Sequence, residues 1–406
     1  MIADRSLSDA ELRREAREIF SRIQRDEREL PDGDTGWISY DLTNHDSREG
    51  TLIMRGGGGL YAGHLGIALY FAGMYDVFGE ESYRESVRSA VDVLVEEEVE
   101  DLSTGADVGI GTGVGSFVYG FSALADLTGE QRYQQRALEF AGTITDEQVQ
   151  ADDSYDLLLG TAGTLTGLLR LYEQSGEESV LDRAIACGQH LLDERLSKWG
   201  YGVWDTHQNE DVRSFSTGMG HGAAGIAASL YRLYAHTGRE AFREAADEAV
   251  DFENVFYSEY RTNWRANWQR LPEFPTWWCY GVPGIGLSRI GSLQYHDREV
   301  LRRDLDRARA FDPELGSRDS ICHGTFSQVE FLIELGRRFD DRYLDRARRL
   351  ASHAIERKRE RGDYLVAGGT VDGLYNPSLF LGTAGIGYTI LRLLSPEDLP
   401  SILRFE

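Results

Sequence analysis

The sequence predicts an all-α fold of seven helix hairpins closed into a double ring. Three observations carry this prediction. A tetrad of the form small-x-x-small recurs seven times, each time opening an apolar stretch with helical spacing. In the first four repeats the stretch ends at a glycine 16 or 17 residues after the tetrad begins. Almost no segment alternates apolar and polar residues with the period of two that is typical of strands, so little β structure is expected.

The repeat has an irregular period that matches arrays of supersecondary units. The tetrads occupy residues 63–66, 112–115, 160–163, 222–225, 281–284, 324–327 and 382–385. Their starts are 49, 48, 62, 59, 43 and 58 residues apart. Glycine after the last apolar residue is the usual signal for the end of a helix, so Gly79, Gly129, Gly176 and Gly238 are predicted helix ends.

An acidic or arginine-rich amphipathic stretch follows each apolar helix, as in REAFREAADEAVDF, and completes a hairpin. Seven hairpins can form an open solenoid or a closed ring, and the closed ring buries the apolar helices better. The seventh repeat ends near residues 391–396, and the amphipathic stretch 8–25 is expected to supply its partner. No linker divides the chain, which predicts one domain over residues 1–406 with an N-terminal helical segment, 1–50, that closes the ring.

The charge balance is strongly acidic. Asp and Glu number 68 against 43 Lys and Arg, which gives a formal net charge of -25, and only Lys198 and Lys358 are lysines. Such a surface repels phosphate backbones, so a nucleic-acid-binding function is disfavoured. The acidic residues are spread along the whole chain, which suggests a halophilic source.

The sequence predicts a cytoplasmic protein. No apolar run reaches the roughly 20 residues that a membrane helix needs. The N-terminus is charged from its fourth residue and does not resemble a secretory signal.

Two of the three cysteines occupy unusual positions. Cys187 lies in an apolar helical pattern and is predicted to be a small buried residue. Cys279 and the pair Cys322–His323 lie in the loops that open repeats five and six, and His221 lies at the equivalent point of repeat four. A lone buried cysteine or packed histidine is the ordinary alternative, but two of three cysteines at equivalent helix starts favour a shared site.

The chemistry expected of such a site is zinc binding. Two thiolates and one imidazole, from Cys279, Cys322 and His323, are zinc ligands by type. Three protein ligands leave the fourth position open, which is the catalytic rather than the structural arrangement. Zinc would hold water or a substrate thiol there and lower its pKa.

Several segments resemble the lanthionine synthetase C-like (LanC) family, and are most similar to the cyclase portion of the fused LanM synthetases. They are GMGHGAAGIAASLYRL, WCYGVPGIGLSR, CHG and PSLFLGTAGIGYTILRL, within about residues 57–394. The combination of WCYG-x-PG with CHG is specific, whereas GxxG alone is not. The dehydratase region of a LanM enzyme is absent, so a stand-alone cyclase is expected.

The resemblance implies a fold, an activity and a cofactor. The fold is an α/α toroid, which agrees with the repeats. The activity is intramolecular addition of a peptide Cys thiol to dehydroalanine or dehydrobutyrine, forming a thioether ring. The cofactor is zinc held by Cys279, Cys322 and His323. The partner is a dehydrated precursor peptide, with a separate dehydratase as a further candidate.

The resemblance also implies roles for three other residues. His221 is expected to transfer protons, Asp156 to orient His221 or share its proton relay, and Tyr280 to donate a hydrogen bond to the enolate oxygen. The alternative for Asp156 is a helix N-cap. The alternative for Tyr280 is packing against the zinc loop.

One position departs from the family pattern. Some members carry an Arg shortly before WCYG, where this chain has residues 274–277, and Arg265 or Arg270 are the candidates to replace it. Trp277 and Trp278 are expected to pack or to contact peptide. His64, in the first tetrad, is not called for by the family motif.

Other functions remain open at this level. Addition of a small thiol such as glutathione to dehydrated residues would use the same zinc. A non-catalytic peptide-binding toroid is a second alternative, against which the intact Cys/Cys/His set argues. A glycosidase toroid would need a carboxylate pair and no zinc thiolates.

Overall fold

The computed structural model describes residues 6–29, 35–42, 52–55, 57–96, 108–206, 215–267, 273–366 and 375–406. The helices of these residues are α1 (Asp9–Arg25), α2 (His64–Phe78), α3 (Glu81–Glu96), α4 (Val114–Thr128), α5 (Gln131–Thr143), α6 (Asp146–Ala151), α7 (Thr161–Ser175), α8 (Glu178–Asp193), α9 (Ala223–Thr237), α10 (Glu240–Asn254), α11 (Val282–Tyr295), α12 (Glu299–Arg309), α13 (Thr325–Arg338), α14 (Arg342–Arg361) and α15 (Thr383–Leu394). A single 3₁₀ turn, Ile402–Arg404, follows them.

The strands of the described residues are short and form four antiparallel pairs. They are β1 (Arg28–Glu29) with β2 (Thr35–Gly36), β3 (Ser39–Leu42) with β4 (Leu52–Arg55), β5 (Leu196–Lys198) with β6 (Tyr201–Val203), and β7 (Tyr257–Ser258) with β8 (Asn263–Trp264). The predicted low β content is therefore confirmed for this part of the chain.

The chain divides into two compact units. The first unit comprises Met1–Glu98, Ala123–Gln131 and Pro313–Ser401, and the second comprises Val99–Ser122, Arg132–Asp312 and Ile402–Glu406. In the first unit α2 packs on α3, α13 on α14, and α15 on both α1 and α2. In the second unit α7 packs on α8, α9 on α10 and α11 on α12, while α9 also packs on α7 and α11. The prediction of a single domain stays a prediction.

The predicted helix ends are confirmed. Gly79, Gly176 and Gly238 are the C-caps of α2, α7 and α9, with left-handed φ angles of 68°, 71° and 63°, and Gly129 follows α4 at 72°. Each apolar helix is buried around its circumference near its start, as α2 is from His64 to Met74. The second helix of each hairpin is amphipathic. It buries its apolar face, and its polar face meets solvent.

The N-terminal helix forms as the amphipathic pattern predicts. Ser8 is its N-cap and forms a capping box with Glu11, which satisfies free amides of the first turn. Helix α1 buries Leu12, Ile19 and Ile23 and packs against α15, the apolar helix of the seventh repeat. The last hairpin is thus completed by the start of the chain. None of the helices in the described part of the chain has the length and apolarity that a membrane crossing requires.

The tetrads have a steric explanation. In five of the tetrads the loop before the helix folds back beneath the first turn, and the fourth tetrad residue is a glycine that lies against the carbonyl oxygen of the residue six positions earlier; these glycines are at positions 66, 163, 225, 284 and 385. A Cβ on Gly225 would lie 2.1 Å from the oxygen of Met219, and one on Gly284 would lie 1.8 Å from that of Trp278. Only glycine permits this approach. The loops so held carry His221 and Cys279.

Candidate functional site

Three helix-start loops of the second unit lie side by side, joined by backbone hydrogen bonds. The amide of Leu158 donates to the carbonyl of Gly220 at 3.1 Å, and the amide of Gly220 donates to the carbonyl of Cys279 at 3.2 Å. These bonds join repeats three, four and five in order. They place Asp156, His221 and Cys279 on neighbouring loops.

His221 and Asp156 form a direct pair. The Nδ1 atom of His221 lies 2.8 Å from Oδ2 of Asp156, whose side chain is fully buried, while 21% of the His221 side chain is exposed. A carboxylate can only accept here, so Nδ1 of His221 carries the proton of this hydrogen bond. The hydroxyl of Thr206 also donates to the His221 carbonyl at 2.7 Å. The imidazole is therefore held from its ring and from its backbone.

Asp156 uses both oxygens. Its Oδ1 atom accepts from the amide of Leu159 at 2.7 Å, while Oδ2 faces His221. The N-cap position of α7 is Gly160, which makes no side-chain cap bond. Asp156 thus stabilises the loop and contacts the histidine. The N-cap alternative for Asp156 is wrong, because Gly160 occupies the N-cap position.

The Cys279 loop forms a tight turn. The amide of Trp277 donates to the carbonyl of Tyr280 at 3.1 Å, and Cys279 is fully buried at the bend. The ring of Tyr280 lies 5.7 Å from that of His221 between centroids. Trp278 is a buried packing residue whose indole N–H donates to the carbonyl of Leu403 at 3.0 Å.

The first unit carries the other two candidate ligands. Cys322 is fully buried and His323 is 7% exposed. The Sγ atom of Cys322 lies 3.9 Å from Nε2 of His323. The hydroxyl of Tyr61 donates to Cys322 Sγ at 3.3 Å, and the amide of His323 donates to the hydroxyl of Ser320 at 3.3 Å.

The donor atoms suit zinc. Three buried side chains of the described chain, Cys279, Cys322 and His323, offer atoms of the kind that binds a metal ion. A sulfur and a nitrogen ligand on one tetrahedral zinc lie about 3.5 Å apart when Zn–S is about 2.3 Å and Zn–N about 2.0 Å. The 3.9 Å between Cys322 and His323 is close to that value. Soft thiolates with one imidazole fit Zn²⁺ better than the oxygen-binding Mg²⁺ or Ca²⁺.

The remaining predicted residues have simpler roles. Cys187 is fully buried in α8, and burial, with the charge of Asp152 adding to it, raises the pKa of its thiol to about 12, so it is confirmed as a packing residue. His64 is the buried first residue of α2, with its ring 5.5 Å from that of Trp37. Arg265 is half-buried beside Thr217, whose hydroxyl donates to its carbonyl at 2.7 Å.

The other candidate to replace the family arginine, Arg270, lies outside the described residues. Of the two candidates, the structure describes Arg265 alone.

Sequence reasoning missed Asp152 and Tyr61. The Oδ2 atom of Asp152 accepts from the amide of Thr161 at 2.7 Å and from its hydroxyl at 2.6 Å, which caps α7 and fastens the loop that presents Asp156. It also accepts from the amide of Tyr155, a non-glycine residue at a φ of 57°. An acidic residue ahead of an apolar helix is a capping signal that could have identified Asp152. No local signal identifies Tyr61.

Comparison with known proteins completes the site's description. A family model for lanthionine synthetase C-like proteins matches residues 56–404. A solved nisin cyclase superposes with a TM-score of 0.66 at 16% identity, over 98% of this chain and 96% of that chain. The unsaturated glucuronyl hydrolase of Bacillus sp. GL1, responsible for glycosaminoglycan degradation, superposes with a TM-score of 0.51 at 14% identity, over 95% of each chain. At such identities the likeness shows the fold alone, and the predicted α/α toroid class is confirmed.

Proposed function

The chain belongs to the lanthionine synthetase C-like family, and from this premise we propose that it is a zinc-dependent thioether cyclase. Its substrate is a dehydrated precursor peptide, in which a Cys thiol adds to dehydroalanine or dehydrobutyrine of the same peptide. The likeness to nisin cyclase supports a cyclase. A dehydratase has to act first, because the reaction consumes dehydrated residues.

The proposed zinc ligands are Cys279 from the second unit with Cys322 and His323 from the first. Their support is the burial of all three and the match of their donor types to zinc. When bound, zinc would hold the peptide thiol as a thiolate nucleophile at the fourth position.

The protonation of carbon and the stabilisation of the enolate are assigned to His221, Asp156 and Tyr280. Attack at the β-carbon forms the C–S bond and moves the double-bond electrons toward the carbonyl, giving an enolate. Nε2 of a protonated His221 delivers a proton to the α-carbon, and Asp156 holds the ring through Nδ1 at 2.8 Å. The Tyr280 hydroxyl donates a hydrogen bond to the enolate oxygen. The proton lost by the thiol balances the one gained by carbon.

One observation carries this proposal: the ladder from Leu158 through Gly220 to Cys279. It sets the His221–Asp156 pair on the loop next to that of a buried thiol. A glycosidase would need two carboxyl groups flanking its substrate. The pairing of carboxylate with imidazole instead suits a single proton transfer.

The test begins with metal content. Purified wild-type protein is expected to hold one zinc per chain, and Cys279→Ala to lose it. Cys187→Ala is the matched control, since it removes another fully buried thiol and is expected to keep the zinc. A folded wild type without zinc, or a Cys279→Ala protein that keeps it, contradicts the proposal.

Activity is measured on a synthetic peptide with one dehydroalanine and one Cys. Ring closure leaves the mass unchanged but removes the thiol that iodoacetamide alkylates. A second peptide without Cys is offered together with glutathione. If only the second peptide reacts, with glutathione as the thiol, the result favours the small-thiol alternative over the cyclase.

A further inference from the structure

Three helix-start loops of the first unit converge on Cys322. The amide of Cys322 donates to the carbonyl of Phe380 at 3.1 Å, and the amide of Phe380 donates to the carbonyl of Tyr61 at 3.2 Å. These bonds connect repeats six, seven and one, as the second-unit ladder connects repeats three, four and five. The loop of Cys322 is therefore positioned by residues near both ends of the sequence.

Tyr61 adds a side-chain contact to this ladder. Its ring stacks on Phe380 with centroids 5.0 Å apart and planes 13° apart. The Tyr61 hydroxyl donates to the Sγ atom of Cys322 at 3.3 Å. Cys322 itself is fully buried, and Tyr61 is half-buried.

We propose that Tyr61 is a positioning residue of the metal site, acting through Cys322. Its hydroxyl donates to the thiolate, fixes the direction in which the sulfur presents its lone pairs, and withdraws part of its charge. Partners of this kind orient metal ligands, and their loss typically weakens metal binding about 10- to 100-fold. This inference rests on the proposed function, since it assumes that Cys322 holds zinc.

Tyr61→Phe tests the hydroxyl and keeps the stacked ring. Zinc affinity, measured by competition with a chromophoric chelator, is expected to fall about 10- to 100-fold. In cobalt-substituted protein the sulfur-to-metal charge-transfer band is expected to move to longer wavelength, because a thiolate without its donor holds its electrons less tightly. Tyr388→Phe is the control, since it removes a buried first-unit hydroxyl that donates to Pro400, and it is expected to change neither quantity.

Phe380→Leu distinguishes the effect of the Tyr61 hydroxyl on zinc binding from the effect of the ring packing. It removes the stacked partner but leaves the Tyr61 hydroxyl, so it is expected to weaken zinc binding less than Tyr61→Phe. Wild-type zinc affinity and an unshifted cobalt band in Tyr61→Phe would overturn the inference while leaving the cyclase proposal standing. An equal or larger loss in Phe380→Leu would overturn it too, by assigning the effect to packing. Wild-type protein without zinc would instead count against the proposed function.

Discussion

Asp156→Asn isolates the contribution of the charge beside His221. The change keeps the size of the side chain and one carbonyl oxygen. That oxygen can still accept from the Leu159 amide, which lies 2.7 Å from Oδ1. The other position becomes an NH₂ group facing His221 Nδ1, where an oxygen now stands at 2.8 Å. The loop is preserved and only the partner of the imidazole changes.

The consequence follows from the donors and acceptors. An amide N–H beside Nδ1 makes that atom an acceptor, so the proton of a neutral His221 moves to Nε2. The ring then also lacks the negative charge that stabilises its protonated form. Positioned general acid–base catalysis contributes about 10²- to 10⁴-fold, and we expect kcat/KM to fall by that factor. Loss of the charge-assisted hydrogen bond should cost about 1–2 kcal/mol of unfolding free energy.

The assay measures thiol consumption in the dehydroalanine peptide, beside zinc content and urea unfolding. Zinc content should match the wild type, because Asp156 is not a proposed ligand. A double-mutant cycle with His221→Ala completes the test: once the imidazole is gone, Asp156→Asn should change the rate little further. A single variant within about threefold of wild type, or rate losses that multiply in the double variant, would refute the pairing.

Three further outcomes are expected. Gly220→Ala should lower zinc content, because its Cβ would lie 2.9 Å from that of Cys279; full occupancy would contradict this. Burial raises the pKa of Glu173, but hydrogen bonds from Arg232 and His236 outweigh it and lower the pKa from 4.5 to about 2. The unfolded carboxyl therefore binds protons first, so this stabilisation is present above about pH 4.5 and is lost as pH falls toward 2. Glu173→Gln should flatten the pH dependence of urea unfolding in that window, and an unchanged slope would exclude the effect. With a net charge of -25, the thermal midpoint should rise with molar NaCl, whereas salt-insensitive stability would remove the halophilic hypothesis.

The helices could be predicted from the sequence because their signals are local. The left-handed glycines Gly79, Gly176 and Gly238 end their helices as predicted, since a C-cap depends only on the residues of one turn. The capping box of Ser8 with Glu11 is local in the same way. The residue types for zinc binding were also readable, because ligand chemistry belongs to the side chain.

The contacts of the site could not be predicted in this way. Asp156 meets His221 across 65 residues, and Tyr61 meets Cys322 across 261. The alternative of an N-cap for Asp156 arose because a carboxylate near a helix start has the same local appearance in either role.

The sequence by itself determined the repeating hairpin, the ends of its helices and the donor types carried by its loops. Only the tertiary structure decided which loops are neighbours, and hence that Gly220 bonds to Cys279 and that a tyrosine of the first repeat reaches Cys322. The physical reason is range. Capping and periodicity act within a few residues, whereas these hydrogen bonds form only after helices distant in sequence have packed and brought their starting loops together.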